Sequence, residues 1–87
     1  MIRVTRVETR IAIIGIIIED TEVTNIINDI LHEYSSYIIG RMGIPYRERN
    51  VSVISVVLDA PGDVINSLAG KIGRVKGVSA KTIYSKI

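Results

Sequence analysis

Hydrophobic and polar residues alternate along the chain in a pattern that predicts four strands and two helices. Four runs rich in β-branched residues are typical of strands. They are residues 8–18, 37–46, 51–58 and 78–84. Apolar residues recur at the i, i+3, i+4, i+7 spacing of an amphipathic helix from Val23 to Tyr34, and a second such stripe extends from Val64 to Ile72. The predicted order of elements is therefore βαββαβ.

Turn and cap residues mark the ends of these elements. Asp20 or Thr21 is a typical cap for the first helix. Pro61 is favoured in the first turn of the second helix, and Gly73 suits its end. Pro45 lies within the second strand, where its missing N–H favours an edge position in the sheet.

The predicted order is that of an α+β, ferredoxin-like sandwich, a four-stranded antiparallel sheet with two helices on one face. The similar stretches 13–17 and 53–57 occupy matching places about 40 residues apart, so the chain divides into two βαβ-like halves. Right-handed crossovers place the first and third strands in the centre of the sheet. We expect residues 1–87 to form one domain.

Both faces of the two central strands are apolar. Successive residues of a strand point to opposite faces, so odd-numbered and even-numbered residues separate. The odd-numbered apolar set is Ile11, Ile13, Ile17, Val51, Val53 and Val57. Two helices cover only one face of the sheet, so the other face needs a cover from outside the chain. The simplest cover is a second copy, and we expect a homodimer or a homotetramer.

The composition excludes several classes of protein but does not identify one. Ile (18 residues) and Val (10) supply most of the apolar material, and the absence of Cys excludes disulfides and Cys-ligated zinc or iron–sulfur sites. The longest apolar stretch, residues 11–18, is too short to span a bilayer, and the first residues lack the features of a signal peptide. We therefore expect a cytoplasmic protein that does not bind a membrane.

Charge is segregated along the chain, although the net charge is only +2. Residues 19–33 hold five acids and no Lys or Arg, whereas residues 71–87 hold five bases and no acid. Complementary charge between neighbouring helices explains this arrangement, and so does a basic patch for an anion. In the second case Arg3, Arg6 and Arg10 would bind DNA together with the C-terminal lysines, which is the alternative function. Because stacking aromatics are nearly absent from the central strands, we do not expect nucleic acid as the principal partner.

Few side chains are candidates for catalysis. His32 is the single His and could pair with Ser35 or Ser36, but a lone His on a helix is more often structural. Glu19 and Asp20 form a carboxylate pair at a strand-to-helix corner, where capping is the plainer explanation. We therefore predict no catalytic residue and no enzyme activity.

The segment 40–47 is the least ordinary part of the chain. Gly40 and Gly43 weaken a strand, which indicates a bulge or a close approach of another backbone. Arg41, Tyr46 and Arg47 could hold an anion by charge-assisted hydrogen bonds, and a subunit contact at an edge strand explains them equally well. The candidate ligand-binding residues are Glu19, Asp20, Arg41, Tyr46 and Arg47. We predict no metal site and no cofactor.

Two stretches carry a resemblance to a known family: residues 38–46, IIGRMGIPY, and residues 59–66, DAPGDVIN. With them the chain resembles, from Arg10 to Ser85, the small regulators of the iron-only hydrogenase system. That family is named for its genomic association with hydrogenase maturation, so the resemblance implies a regulatory role rather than a defined reaction.

More distantly, the chain is similar to the ACT-like, metal-binding domain of nickel-responsive repressors. His32 and the segment around Met42 follow the pattern of that domain. The resemblance implies one nickel ligand at His32, but the other ligand positions fall on Gly43, Pro45 and Val51, which offer no donor side chain. The DNA-binding domain that precedes this one in the repressors is expected to have no counterpart here.

These expectations combine into one hypothesis. The chain is an ACT-like, homo-oligomeric regulatory or sensing module without nickel. A small ligand or a partner protein binds at subunit interfaces, near the corner of Glu19 and Asp20 and near the segment from Arg41 to Arg47.

Overall fold

The computed structural model describes residues 8–86 and contains, within that range, four strands and two α-helices. The strands are β1 (Arg10–Ile18), β2 (Ile38–Tyr46), β3 (Val51–Ala60) and β4 (Val78–Tyr84), and the helices are α1 (Thr24–Glu33) and α2 (Gly62–Gly73). The strands form one antiparallel sheet in the order β2-β3-β1-β4. This is the α+β, ferredoxin-like arrangement that the sequence predicts, with β1 and β3 in the centre.

The core lies between the helices and one face of the sheet. Even-numbered residues of β1 and β3 point into it, since Ile14 lies opposite Val56 and Ile16 lies opposite Ile54. Each helix contributes one buried stripe. The buried helical residues are Ile27, Leu31, Ile65, Leu68 and Ile72. Among the residues described, no polar or charged residue is buried with them.

The corner between β1 and α1 begins with a short 3-10 turn, Thr21–Val23. Asp20 caps this turn, because its Oδ1 accepts a hydrogen bond of 3.0 Å from the backbone N–H of Glu22. The α-helix itself begins at Thr24, so the expected acidic cap lies one turn ahead of α1. Capping therefore accounts for Asp20, as the sequence suggests.

The second helix ends at Gly73, as the sequence predicts. The cap residue itself is Arg74 rather than Gly73, and it keeps a right-handed conformation. Two further turn hydrogen bonds, from Val75 N–H to the Ile72 carbonyl and from Val78 N–H to the Val75 carbonyl, continue the chain. The left-handed glycine is Gly77, with φ of 81°, directly before β4.

The outer strand β2 lies at one edge of the sheet, as Pro45 predicts. Pro45 pairs with Ser52, and the register shifts between Ile38 and Gly40, which is the bulge expected of this glycine-containing segment. Every residue from Gly40 to Asn50 is exposed. A bulge and a proline on an edge strand both interrupt the row of backbone groups that another strand could pair with.

Candidate functional site

The face of the sheet turned away from the helices is apolar and exposed, and we call it the free face. It consists of the odd-numbered residues of β1 and β3 with the β2 and β4 residues opposite them. Eight of its apolar side chains have exposed fractions between 40 % and 68 %. They are Ile11, Ile13, Ile17, Met42, Ile44, Tyr46, Val53 and Ile83. The helices of the chain leave this face uncovered, and what covers it stays a prediction.

One end of the free face forms an open concavity of about 660 Å³. Its apolar floor is supplied by the ends of β1, β2 and β3, and its polar residues come from the strand ends and the β2–β3 turn. The lining residues are Ile17, Glu19, Ile44, Tyr46, Arg49, Asn50, Val51 and Val53. A floor of β-branched side chains beside a few polar groups is the usual composition of a site for a small amphipathic molecule.

The polar residues of the concavity are positioned by the β2–β3 turn. Residues 47–49 form a 3-10 turn that ends at Asn50, which has a left-handed φ of 52° and donates its backbone N–H to the Arg47 carbonyl at 3.1 Å. Asn tolerates this conformation better than most residues. The hydroxyl of Tyr46 donates to Oε2 of Glu48 at 3.2 Å. The turn thereby places Arg49, which the sequence did not single out, at the concavity.

Two of the five candidate ligand-binding residues meet at this concavity, and three do not. Glu19 and Tyr46 line it. Asp20 caps the neighbouring turn. Arg47 is exposed in the 3-10 turn and does not contribute to the lining. Whether any of them binds a ligand stays a prediction.

Arg41 lies on the opposite side of the sheet. It pairs with Val56, whose side chain is buried under the helices, so Arg41 faces the helix layer. Its Nη2 donates to Oδ1 of Asn28 on α1 at 2.6 Å. Arg41, Asn28 and Pro45 help to line a smaller hollow of about 260 Å³ between α1 and β2. Arg41 and Tyr46 therefore cannot contact the same small ligand from one face, because the strand period of two separates them.

The two helices are linked by a cluster of polar side chains at their surface. The hydroxyl of Tyr34 lies 3.1 Å from Oγ of Ser67, and Nζ of Lys71 lies 3.5 Å from Oε2 of Glu33. The hydrogen bond with Ser67 and then the nearby ammonium of Lys71 lower the pKa of Tyr34, and the closeness of Tyr34 is the main reason that the pKa of Lys71 is raised. This cluster supports charge complementarity between neighbouring helices as the interpretation of the acidic and basic segments.

Only some of the basic residues proposed for DNA binding lie within the described part of the chain. Arg3 and Arg6 lie outside the described residues. Arg10 stacks over the ring of Tyr84 at 4.2 Å and donates to the Ser85 carbonyl at 3.2 Å. Arg10 thus has a role within the fold, and the contacts described give no separate support to a DNA-binding surface.

The positions that correspond to nickel ligands do not converge. His32 is exposed on α1, Gly43 and Pro45 pair with residues of the helix side, and Val51 lines the concavity of the free face. Within residues 8–86, no group of three or more His, Cys, Asp or Glu side chains is close enough to hold a metal ion. The residues present therefore do not fit the square-planar nickel site of the repressors.

No helix in the described part of the chain is long and apolar enough to cross a membrane.

Comparison with known proteins identifies the family. The family model TM1266-like, whose description is that of a regulator of the iron-only hydrogenase system, matches residues 10–82. The chain belongs to this family. The family description names the system that is regulated but no molecular mechanism. Membership therefore supplies a biological setting for the chain and no mechanism.

A solved structure agrees with this membership. The uncharacterized protein TM1266 from Thermotoga maritima is 36 % identical to the chain, with a TM-score of 0.86. The match covers 91 % of this chain and 100 % of that one. None of the curated proteins matches the chain. The TM1266-like fold therefore extends over most of the chain, and the resemblance inferred from residues 38–46 and 59–66 is confirmed.

Proposed function

We propose that the protein is a non-enzymatic regulatory module of the iron-only hydrogenase system and self-associates through its free face. Its membership in a family of assigned regulators supports the regulatory part. The exposed apolar side chains of the free face carry the self-association part, because each helix buries its own stripe on the other side of the sheet. A regulator of this kind acts by changing partners or assembly rather than by converting a substrate.

The size of the free face suits a stable contact between copies. Its eight exposed apolar side chains together present on the order of 700 Å², close to the roughly 800 Å² that each partner buries in a standard protein–protein interface. Typical monomers expose apolar patches of only about 300–600 Å². A second copy carries the same face, so a two-fold contact would cover both faces at once.

Placing a charge on the free face is expected to break this association. In an Ile17→Glu variant, the new carboxylate would lose contact with water when the two copies meet, and association should weaken about tenfold or more. The folded single chain should tolerate the change, because Ile17 is 45 % exposed. Light scattering coupled to size-exclusion chromatography over a range of concentrations measures the effect.

Ile26→Glu is the matched control for this experiment. Ile26 is 49 % exposed but lies on α1, away from the free face, so this variant should associate like the wild type. A wild-type protein that stays at its monomer mass of 9.6 kDa at every concentration would refute the proposal. Equal loss of association in both variants would show that the contact is not specific to the free face.

We further propose that the concavity at the end of the free face binds a small carboxylate with a branched apolar body. The guanidinium of Arg49 has no ion-pair partner among the residues described, and a guanidinium binds a carboxylate through two parallel hydrogen bonds. Ile17 and Val53 supply an apolar floor, and Glu19 offers an acceptor to a donor group of the ligand. Association through the free face would enclose this site between copies.

Isovalerate serves as the probe for this site. In a nitrogen-15 NMR titration, we expect chemical-shift changes concentrated at Asn50, Val51 and Val53. Arg49→Ala should weaken binding about tenfold, which is the usual cost of losing one charged hydrogen-bond donor. Arg41→Ala is the control, because Arg41 faces the helix layer and should leave binding unchanged. Loss of binding in the Arg41 variant with retention in the Arg49 variant would assign the site to the opposite face.

A further inference from the structure

The middle row of the free face contains two small residues between two long ones. Gly15 of β1 lies opposite Ser55 of β3 on one side and opposite Lys81 of β4 on the other. Met42 of β2 lies opposite Ser55 and ends the row. The two central strands therefore contribute to this row only a hydrogen atom and a hydroxymethyl group, and we call their part of it, Gly15 and Ser55, the trough.

An apolar ridge lies on each side of the trough. The first ridge contains Ile83, Ile13 and Val57, which are cross-strand neighbours. The second ridge contains Ile17, Val53 and Ile44, which are also cross-strand neighbours. The two ridges are four residues apart along each strand, so each lies about 7 Å from the trough. The free face is thus corrugated at its centre, where the two apolar ridges flank a trough that is two strands wide and is bounded by Met42 and Lys81.

The described residues do not themselves require a glycine in the trough. A Cβ added to Gly15 would meet no atom within 4 Å, and the φ of Gly15 is not positive. Glycine in the interior of a strand lowers stability and often marks a place where another backbone or a ligand approaches closely. Nothing within the described residues occupies the space above Gly15, so that space is open to another chain.

We infer that the trough of Gly15 and Ser55 receives the β1 and β3 side chains of an apolar ridge of a second copy. This inference rests on the proposed self-association and specifies how the two copies fit. A second copy carries ridges and a trough with the same spacing, so these side chains of one ridge of each copy can enter the trough of the other in a two-fold arrangement. The charged end of Lys81 remains at the solvent edge of β4, since a lysine stem can cover apolar surface while its ammonium stays in water.

The inference also explains the composition of the central strands. The remaining odd-numbered positions of β1 between Ile11 and Ile17 all hold isoleucine. A bulky residue at position 15 would fill the trough to the height of the ridges. Two uniformly raised faces would then meet only at the tips of their side chains. Interdigitation of ridges and troughs gives the close packing that interfaces between copies need.

Gly15→Val tests the inference. Valine favours the strand and its side chain enters open space, so the isolated chain should unfold at an unchanged or higher temperature. Association should weaken about tenfold or more, because the ridge of the partner can no longer enter the trough. Ser55→Val fills the same trough from β3 and is the second variant. Gly73→Ala is the matched control, because its added Cβ also meets nothing within 4 Å but lies at the end of α2.

The possible outcomes separate the inference from the proposed function. Loss of association in a variant that remains folded by circular dichroism, with normal association of Gly73→Ala, supports the inference. Undiminished association of both folded trough variants, in a wild-type protein that does associate, overturns the inference and leaves self-association standing. A wild-type protein that is monomeric at all concentrations overturns both.

Discussion

Replacing Gly77 by alanine is expected to lower the free energy of unfolding by about 2–4 kcal/mol. Gly77 has φ of 81°, a conformation that costs a residue with a Cβ about 1–2 kcal/mol. The added Cβ would also lie 2.8 Å from the Cβ of Asp20 and 3.5 Å from its backbone nitrogen. The Asp20 Cβ and backbone cannot move aside as the far end of a flexible side chain could, so the two costs add.

This effect reaches the candidate ligand site through one hydrogen bond. The Gly77 carbonyl accepts a bond of 2.7 Å from the backbone N–H of Glu19, which joins the start of β4 to the corner after β1. Displacing Gly77 therefore moves the corner that holds Glu19 at the concavity and Asp20 at its cap. Besides the loss of stability, the variant should bind isovalerate more weakly than the wild type.

Urea denaturation followed by circular dichroism measures the change in stability. Gly73→Ala is again the control, since Gly73 lies in the last turn of α2, where alanine is a better helix former by about 1 kcal/mol. This control should be neutral or more stable than the wild type. Equal destabilisation by the two substitutions would show that the close approach to Asp20 is not the reason that position 77 requires glycine.

The pair of glycines also shows what a local sequence pattern can and cannot predict. A glycine directly after an apolar helical stripe predicts a helix end near Gly73, and the helix does end there. Which glycine takes the left-handed conformation depends on where the chain must turn to enter β4, and that is fixed by the contact of Gly77 with the β1–α1 corner. Such a contact between residues far apart in sequence leaves no local signal.

The fold was largely predictable because its signals are repeated and local. The continuous β-branched runs of β1 and β3 and the stripes of the two helices give the element order, and the order restricts the topology. The bulge near Gly40 and the edge position of Pro45 follow from backbone chemistry that is visible in the sequence. Only the precise bounds differ, as at α1, which begins after a 3-10 turn capped by Asp20.

The candidate site was less predictable because it depends on strand register and on the geometry of one turn. Arg41 and Tyr46 are five residues apart, and an odd separation in a regular strand directs side chains to opposite faces. Grouping the two residues by composition overlooks this separation. Arg49 reaches the concavity while Arg47 does not, and this difference arises from the 3-10 turn that Asn50 completes. The odd separation of the two positions along β2 was the one signal in the sequence that could have placed Arg41 and Tyr46 on different faces.

The two faces of β1 should respond very differently to the same substitution. Ile16→Ala is expected to cost about 2–5 kcal/mol, because Ile16 is fully buried between the sheet and the helices and its removal leaves a cavity. Its cross-strand neighbours Ile54 and Ala80 cannot fill the space, since they lie in the same close-packed layer. Ile13→Ala removes the same atoms from the free face, where the side chain is 40 % exposed.

The cost of Ile13→Ala should depend on protein concentration, and this dependence distinguishes a free face from a covered one. In dilute protein the copies are apart, the side chain of Ile13 is partly in water, and the loss should be no more than about 1–1.5 kcal/mol. At high concentration the folded state is further stabilised by association, so a variant that associates poorly loses that contribution as well. Thermal denaturation of both variants at two widely separated concentrations measures the effect. The cost of Ile16→Ala should stay nearly constant, because its contacts lie within one chain, whereas a cost of Ile13→Ala that does not change with concentration would mean that the free face remains in water.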